Sequence, residues 1–341
     1  MSRQEKILQG ITKRQRGIEI APYFAPLTPK RDGWNCLVLD VFDRPTLLQK
    51  AEVDPNIPRE GLSLIEEVDF VGSATQLADL VPIRDHGTFD YIVSSHNFEH
   101  IPNPVRFLQG CQRVLKPGGI LSMAVPDGRA CFDFFRPHTT LVDWLDAFIE
   151  QRQKPKPGQV FALAANMAGL CRDEQSVGAF SLEDPVTAIM VTGDLSAAYQ
   201  KWVTADDNGD YQDSHCSVMT PASLELIITE CQYLGLVSFE IGEISTAPGC
   251  EFFVRLVDRP DKSRTDTTTA ELNATRTRLL QRIWDERARA SSWGQDLVRE
   301  LQRSERTSAA HLVDVGRGAA RHDPIAVGRR QLRRLAAMIT G

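Results

Sequence analysis

FDYIVSSHNFEHIPNPVRFLQGCQRVLKPGGILSMAVPD, residues 89–127, is the stretch that decides the fold. Phe89 to Ser95 predicts a strand. Asn103-Pro104 opens a helix that runs to about Val114, with the proline near its first turn, where the missing N–H costs nothing. Lys116-Pro117-Gly118-Gly119 is a tight-turn signal, and Ile120 to Val125 predicts the next strand, ending at Pro126-Asp127. Working outward, Gly17 to Ala21 is a short β-prone run followed by Pro22, Pro26 and Pro29, so a strand and then an irregular loop. Cys36 to Val41 is a continuous apolar run, as in a strand covered on both faces, and Val68 to Gly72 is a weaker one. Downstream, Thr220-Pro221 starts a helix through Tyr233, and Leu236 to Ile244 and Glu251 to Val257 read as closing strands.

Strands alternating with helical stretches predict an α/β fold with a mostly parallel sheet of about seven strands. Residues 128–215 break that rhythm and are too long for a connection. They read as a helical cap inserted after the fifth strand, with Thr140 to Gln151 amphipathic. Asp261 to Thr269 is a polar linker. Beyond it, Leu272 to Arg306 carries helical periodicity and Arg329 to Met338 is a short basic helix. The expected division is therefore residues 1–258 with the insertion, then a basic helical extension over 259–341.

Composition narrows the class. The 341 residues are 42% hydrophobic and 25% charged, which excludes a mainly disordered chain. No run of about 18 apolar residues exists, which excludes a membrane-spanning helix. The basic start MSRQEKILQGITKRQRG has no apolar core, so no secretory signal is expected. Seven cysteines without C-x-x-C spacing suit reduced thiols and a cytoplasmic location. The net charge of −6 is uneven: from Arg259 onward there are 17 Lys and Arg against 10 Asp and Glu, leaving 22 against 35 before it. No aromatic stacking platform accompanies the basic residues of the tail and acids interrupt them, which argues against nucleic acid as its partner. Leu272, Leu279, Leu280, Ile283, Trp284, Trp293, Leu297 and Leu301 form a partial apolar stripe, suited either to packing on the chain's own body or to a homodimer.

The ordered run over 89–127 resembles the second half of the class I, Rossmann-like S-adenosylmethionine-dependent methyltransferases, and more loosely the resemblance spans residues 14 to 257. It implies S-adenosylmethionine as cofactor. In that family the first strand ends in an acid and a glycine-rich loop; here the matching stretch is Glu19-Ile20-Ala21-Pro22-Tyr23, without the glycines, similar to a proline-bearing variant seen beside glycan-building enzymes. Asp40 ends the second strand, where a carboxylate can accept both hydrogen bonds of a ribose diol. The resemblance accordingly implies a cofactor site from Glu19, Ile20, Ala21, Pro22, Asp40, Val41, Ser73, Ala74, Ser95 and His96.

The run after the fifth strand, VPDGRACFDFFRPHTT, clusters Asp127, Arg129, Asp133, Arg136 and His138. Arg129, Asp133 and Arg136 are candidates for the acceptor side, although Asp133 and Arg136 at i, i+3 equally suit an ordinary ion pair. For a hydroxyl acceptor a base is required, and His215, His100 and Asp127 are the candidates, in that order. His96-Asn97-Phe98-Glu99-His100 also fits H-x-x-E-H, but Pro102 and Pro104 deny the pair a continuing helix, so no metal is expected. The reading is O-methylation of a sugar, glycan or small-molecule hydroxyl. The alternative is a non-catalytic, methyltransferase-shaped binding protein or scaffold. A nicotinamide-dependent oxidoreductase ranks lower, because G-x-G-x-x-G is missing after the first strand.

Overall fold

The computed structural model describes residues 1–172, 175–204, 211–247, 249–260, 267–300 and 303. In chain order the elements are α1 (Arg3–Ile7), β1 (Gly17–Ile20), β2 (Cys36–Asp40), α2 (Arg44–Val53), α3 (Arg59–Leu62), β3 (Phe70–Val71), α4 (Leu77–Leu80), β4 (Phe89–Ser95), α5 (Pro104–Val114) and β5 (Leu115–Pro126). The cap follows with α6 (Leu141–Ile149), α7 (Pro157–Asn166), β6 (Ala168–Arg172), β7 (Gln175–Val177), β8 (Ile189–Val191) and α8 (Leu195–Val203). The chain returns through α9 (Pro221–Tyr233), β9 (Phe239–Thr246), β10 (Glu251–Asp258) and α10 (Thr269–Arg289).

The main sheet has seven strands in the order β3-β2-β1-β4-β5-β10-β9. The pairs from β3 to β5 are parallel, and β10 runs antiparallel to both β5 and β9. This is the Rossmann-like sheet expected. All four residues of β1 are buried. Alternate side chains of β4 serve opposite faces, Ile92 joining a core with Phe107, Leu108 and Ile227, while Tyr91 and Val93 pack with Ile7, Ile11 and Leu27.

Helix α5 forms where the sequence requires. The Asn103 side chain accepts the Arg106 amide at 3.1 Å, Pro104 occupies the first turn, and Val105, Phe107, Leu108, Cys111 and Val114 form its buried face. The tight turn expected at 116–119 sits inside the span of β5. Pairing jumps from Phe89–Leu115 to Tyr91–Ile120, and Gly118 takes a left-handed φ of 80° to make the detour.

Two elements differ from expectation. The third strand is only Phe70–Val71, because the Asp69 carboxylate takes the Val38 amide at 2.7 Å and pairs with Lys30, a side chain doing the work of a ladder bond. The cap is helical but also carries a three-stranded antiparallel sheet ordered β7-β6-β8. Its strands of three to five residues are too short to display a two-residue period.

Helix α10 packs on α9. Arg276 pairs with Glu230 at 2.7 Å and Arg282 with Glu225 at 2.6 Å, and Leu272 and Leu279 are buried. The apolar stripe therefore divides: two leucines face the chain's own body, while Leu280, Trp284 and Trp293 are exposed. Leu301 and the basic stretch 329–338 lie outside the described residues, as does most of the linker, 261–266.

Close approach in the sheet generates one expectation. A Cβ at Gly17 would lie 2.0 Å from the ring of the fully buried Tyr91. Gly17→Ala is expected to cost about 3 kcal/mol, read as a fall in the urea midpoint at constant slope; an unchanged midpoint would show that the ring has room to move.

Candidate active site

The strand order reverses direction of growth between β1 and β4, the switch point at which doubly wound sheets open a crevice beyond their carboxyl ends. A cleft of about 590 Å³ lies there, within the size range of small-ligand sites. Glu19, Ile20, Ala21, Pro22, Asp40, Val41, Ser73, Ala74, Ser95 and His96 all line it. The sheet brings them together from four separate segments.

The loop after β1 has the backbone of a glycine loop without the glycines. Ala21 and Tyr23 both hold φ near 47°, and His96 across the cleft holds 49°. Left-handed backbone at non-glycine residues stores strain and clusters at functional sites. Glu19 anchors this loop from beneath. One carboxylate oxygen accepts the Leu27 amide at 2.6 Å, and the other accepts the Thr28 amide at 2.8 Å and its hydroxyl at 2.6 Å. Burial nonetheless pushes the Glu19 carboxyl above its usual range. Its side chain thus positions the loop through these three bonds, while the residue itself lines the cleft.

Asp40, at the end of β2, differs from Glu19 in its setting. It is buried, its Oδ1 accepts only the Phe42 amide at 3.1 Å, and burial raises its pKa to about 6. Asn97 supplies a second polar atom, since its buried Oδ1 has no hydrogen-bond partner among the described residues. His96 donates from Nε2 to Glu251 at 2.9 Å, and Arg3 reaches the same carboxylate at 2.7 Å and the Ser95 hydroxyl at 2.6 Å. Arg3, Asn97, Tyr211 and Asp213 are cleft residues that sequence reasoning missed. Only Asn97 stood in a conspicuous motif; the other three arrive from remote segments.

His100 and His215, picked from positions far apart in sequence, meet with ring centroids 4.6 Å apart. The agent is a backbone clasp: the Glu99 carbonyl accepts the amides of Cys216 at 2.6 Å and Ser217 at 3.0 Å. His215 Nδ1 donates to Asp133 at 2.5 Å, and Arg136 ties the other oxygen of Asp133 to the His215 carbonyl. His100 Nδ1 donates to Asp213 at 2.8 Å, which also accepts from Tyr211. Burial would lower the His100 pKa, but Asp213 and Glu99 outweigh it and hold the imidazole above its ordinary value. Burial likewise works against Asp133, yet His215 and Arg136 keep that carboxyl below the usual range. Of the two histidines only His100 lines the cleft; His215 stands behind it.

Asp127 does not join them. Arg129 donates to both its oxygens, at 2.8 and 2.5 Å, in a buried pair outside the cleft. Asp127, a candidate base, and Arg129, a candidate acceptor contact, thus neutralise each other, and an unpaired partner would be costly there. Arg136 does reach a second cavity, of about 1190 Å³, walled by the cap residues Phe161, Lys156 and Trp202 and sharing Tyr211 with the first.

Residues 25–123 match a family model described as a methyltransferase domain. No curated protein matches the chain. Among solved structures, a SAM-dependent methyltransferase from Aquifex aeolicus is 13% identical, with 75% of this chain and 89% of that one covered and a TM-score of 0.36. An S-adenosylmethionine-dependent methyltransferase from Mesorhizobium loti is 9% identical over 74% and 97%, with a TM-score of 0.37. A Rhodobacter sphaeroides protein described provisionally as a zinc-dependent alcohol dehydrogenase is 10% identical over 75% and 89%, with a TM-score of 0.41.

The strained loop is testable directly. Ala21→Gly should leave stability unchanged or raise it by up to about 1 kcal/mol, whereas Ala21→Val should lower it by about 1–2 kcal/mol, because a β-branched residue suffers most at positive φ. Equal denaturation midpoints for the two variants would mean that the loop is not held left-handed.

Proposed function

We propose that this protein is an S-adenosylmethionine-dependent methyltransferase that acts on a hydroxyl of a sugar, glycan or other small molecule. The observation that carries the reading is the coincidence of the methyltransferase-domain match with a cleft at the switch point that presents the Asp40 carboxylate at the end of β2. The cleft residues suit the cofactor: the Asp40 carboxylate lines the cleft where a ribose diol could reach it, and the unpartnered Asn97 Oδ1 offers a buried acceptor. When bound, the cofactor supplies an electrophilic methyl carbon on a sulfonium sulfur.

Transfer to a hydroxyl would require the chain to hold that acceptor in line with the methyl group and to take its proton with a base. His100 faces the cleft with Asp213 orienting its ring, and His215 supports it from behind. The cap cavity, with the rings of Phe161 and Trp202 tilted against each other at a centroid distance of 5.9 Å and Lys156 and Arg136 at its wall, offers aromatic and polar surface for a hydroxyl-rich acceptor. Tyr211 joins the two spaces.

Calorimetric titration with S-adenosylhomocysteine is expected to give one-to-one micromolar binding, weakened at least about tenfold by Asp40→Ala. Absence of binding would leave a methyltransferase-shaped scaffold without the activity. Binding should also fade in acid. Asp40 accepts the diol best when ionised, and its folded pKa of about 6 is above the ordinary 3.8. Affinity is therefore full above pH 7 and about tenfold lower at pH 5. Asp40→Asn should flatten this profile; a wild-type profile that is already flat would exclude Asp40 from the contact.

The same shift acts on stability with the opposite sense. The raised pKa means that ionised Asp40 destabilises the ligand-free fold, fully so above pH 6 and not below the unfolded value of 3.8. Asp40→Asn should thus stabilise the free protein by on the order of 1–3 kcal/mol at pH 8 and by nothing near pH 4. Thermal unfolding at both pH values measures it, and a gain that persists at pH 4 would refute the assignment.

A further inference from the structure

Glu99 is 2% exposed, and neither of its carboxylate oxygens has a hydrogen-bond partner among the described residues. A bare buried carboxylate costs several kcal/mol unless a cation answers it. Its near neighbours are histidine nitrogens. His100 Nε2 stands 3.6 Å from Glu99 Oε1 and His215 Nε2 3.9 Å from it, too far for hydrogen bonds, and all three ligand atoms lie within 4.8 Å of one another. Two ligand atoms that each sit about 2.1 Å from a tetrahedral metal are about 3.4 Å apart, so these gaps have the size of an ion.

We propose that Glu99, His100 and His215 bind a divalent transition-metal ion of the zinc class at the wall of the cleft. Both histidines are arranged for the task. Each has its Nδ1–H held by a carboxylate, Asp133 for His215 and Asp213 for His100, which leaves each Nε2 lone pair directed to the common point. This carboxylate–histidine arrangement is how metal-binding imidazoles are oriented and made more basic. Two imidazoles and one carboxylate select zinc, iron(II) or cobalt(II) over calcium or magnesium, which favour oxygen ligands. The ligand set is not the H-x-x-E-H pair: His96 gives its Nε2 to Glu251 and keeps its Nδ1 4.0 Å from Glu99 Oε1, outside the cluster that His215 completes from the end of the cap.

Three protein ligands leave a position for an outside oxygen, and His100 opens the site to the cleft. In the methyltransferase reading, on which this role rests, such an ion would hold and acidify the acceptor hydroxyl so that its proton could pass to water in the cleft, and His100 would then serve as a ligand in place of a base. Binding of the ion itself is independent of that reading.

The test uses the full chain, stripped with a chelator and titrated with Co²⁺ in the visible spectrum and with Zn²⁺ by calorimetry. One ion per chain with micromolar or tighter affinity is expected. Glu99→Gln and His215→Gln should each weaken it at least about 100-fold, and Asp133→Asn about 10- to 100-fold. Wild-type protein that binds no ion, binds several weakly, or binds as tightly in the Glu99 and His215 variants overturns the proposal. Should a variant fail to unfold cooperatively, the wild-type stoichiometry and cobalt spectrum decide alone. S-adenosylhomocysteine binding is measured on the stripped protein, so metal without cofactor binding, or the reverse, shows which of the two readings has failed.

Discussion

Everything in this molecule is organised by strand β1, which pairs in parallel with β2 on one edge and β4 on the other and has no exposed residue. Because the chain must cross over in opposite directions to place β2 and β4, the connections diverge at its carboxyl end and a crevice opens there. The same strand sets the strain of the site. Glu19, second from its end, reaches down to hold Leu27 and Thr28, and the residues between are forced through two left-handed positions at Ala21 and Tyr23. The loop keeps a backbone close to the cleft without glycine because a buried carboxylate fixes both ends of its path.

A second constraint joins the cap to this frame. The carbonyl of Glu99 binds two successive amides of the returning chain, Cys216 and Ser217, and that clasp delivers His215 beside His100. Asp133, at the start of the cap, then closes the cluster through His215 and Arg136. Charges of both signs are thus collected where water is scarce, and all but Glu99 are matched by hydrogen bonds. The buried pair Asp127–Arg129 nearby is the contrasting case, complete in itself and chemically closed.

Much of the fold was legible. The β4–α5–β5 unit was readable because its signals are local: a strand run, an Asn-Pro helix start and a Gly-Gly turn in fixed order. The ten residues that the family resemblance implied for the cofactor site stand at or just past strand ends and line the cleft. The shortened third strand and the small sheet in the cap were not, since Asp69's side chain replaces a ladder bond and the cap strands are too brief to show a period. Nor was the Asp127–Arg129 pair legible, since sequence shows an acid at a strand end but not that Arg129, two residues on, turns back to neutralise it.

By itself the sequence determined the order of elements, the sheet class and the side of the sheet on which a ligand is received, because these follow from periodicity and from residues adjacent in the chain. Only the tertiary structure decided which charges meet. Glu99, His100, Asp133, Asp213 and His215 come from three segments separated by the cap, and the distance between side chains on different segments is set by main-chain hydrogen bonds and packing that leave no local trace. Whether an acid is bare, paired or poised depends on those distances, and therefore on the fold.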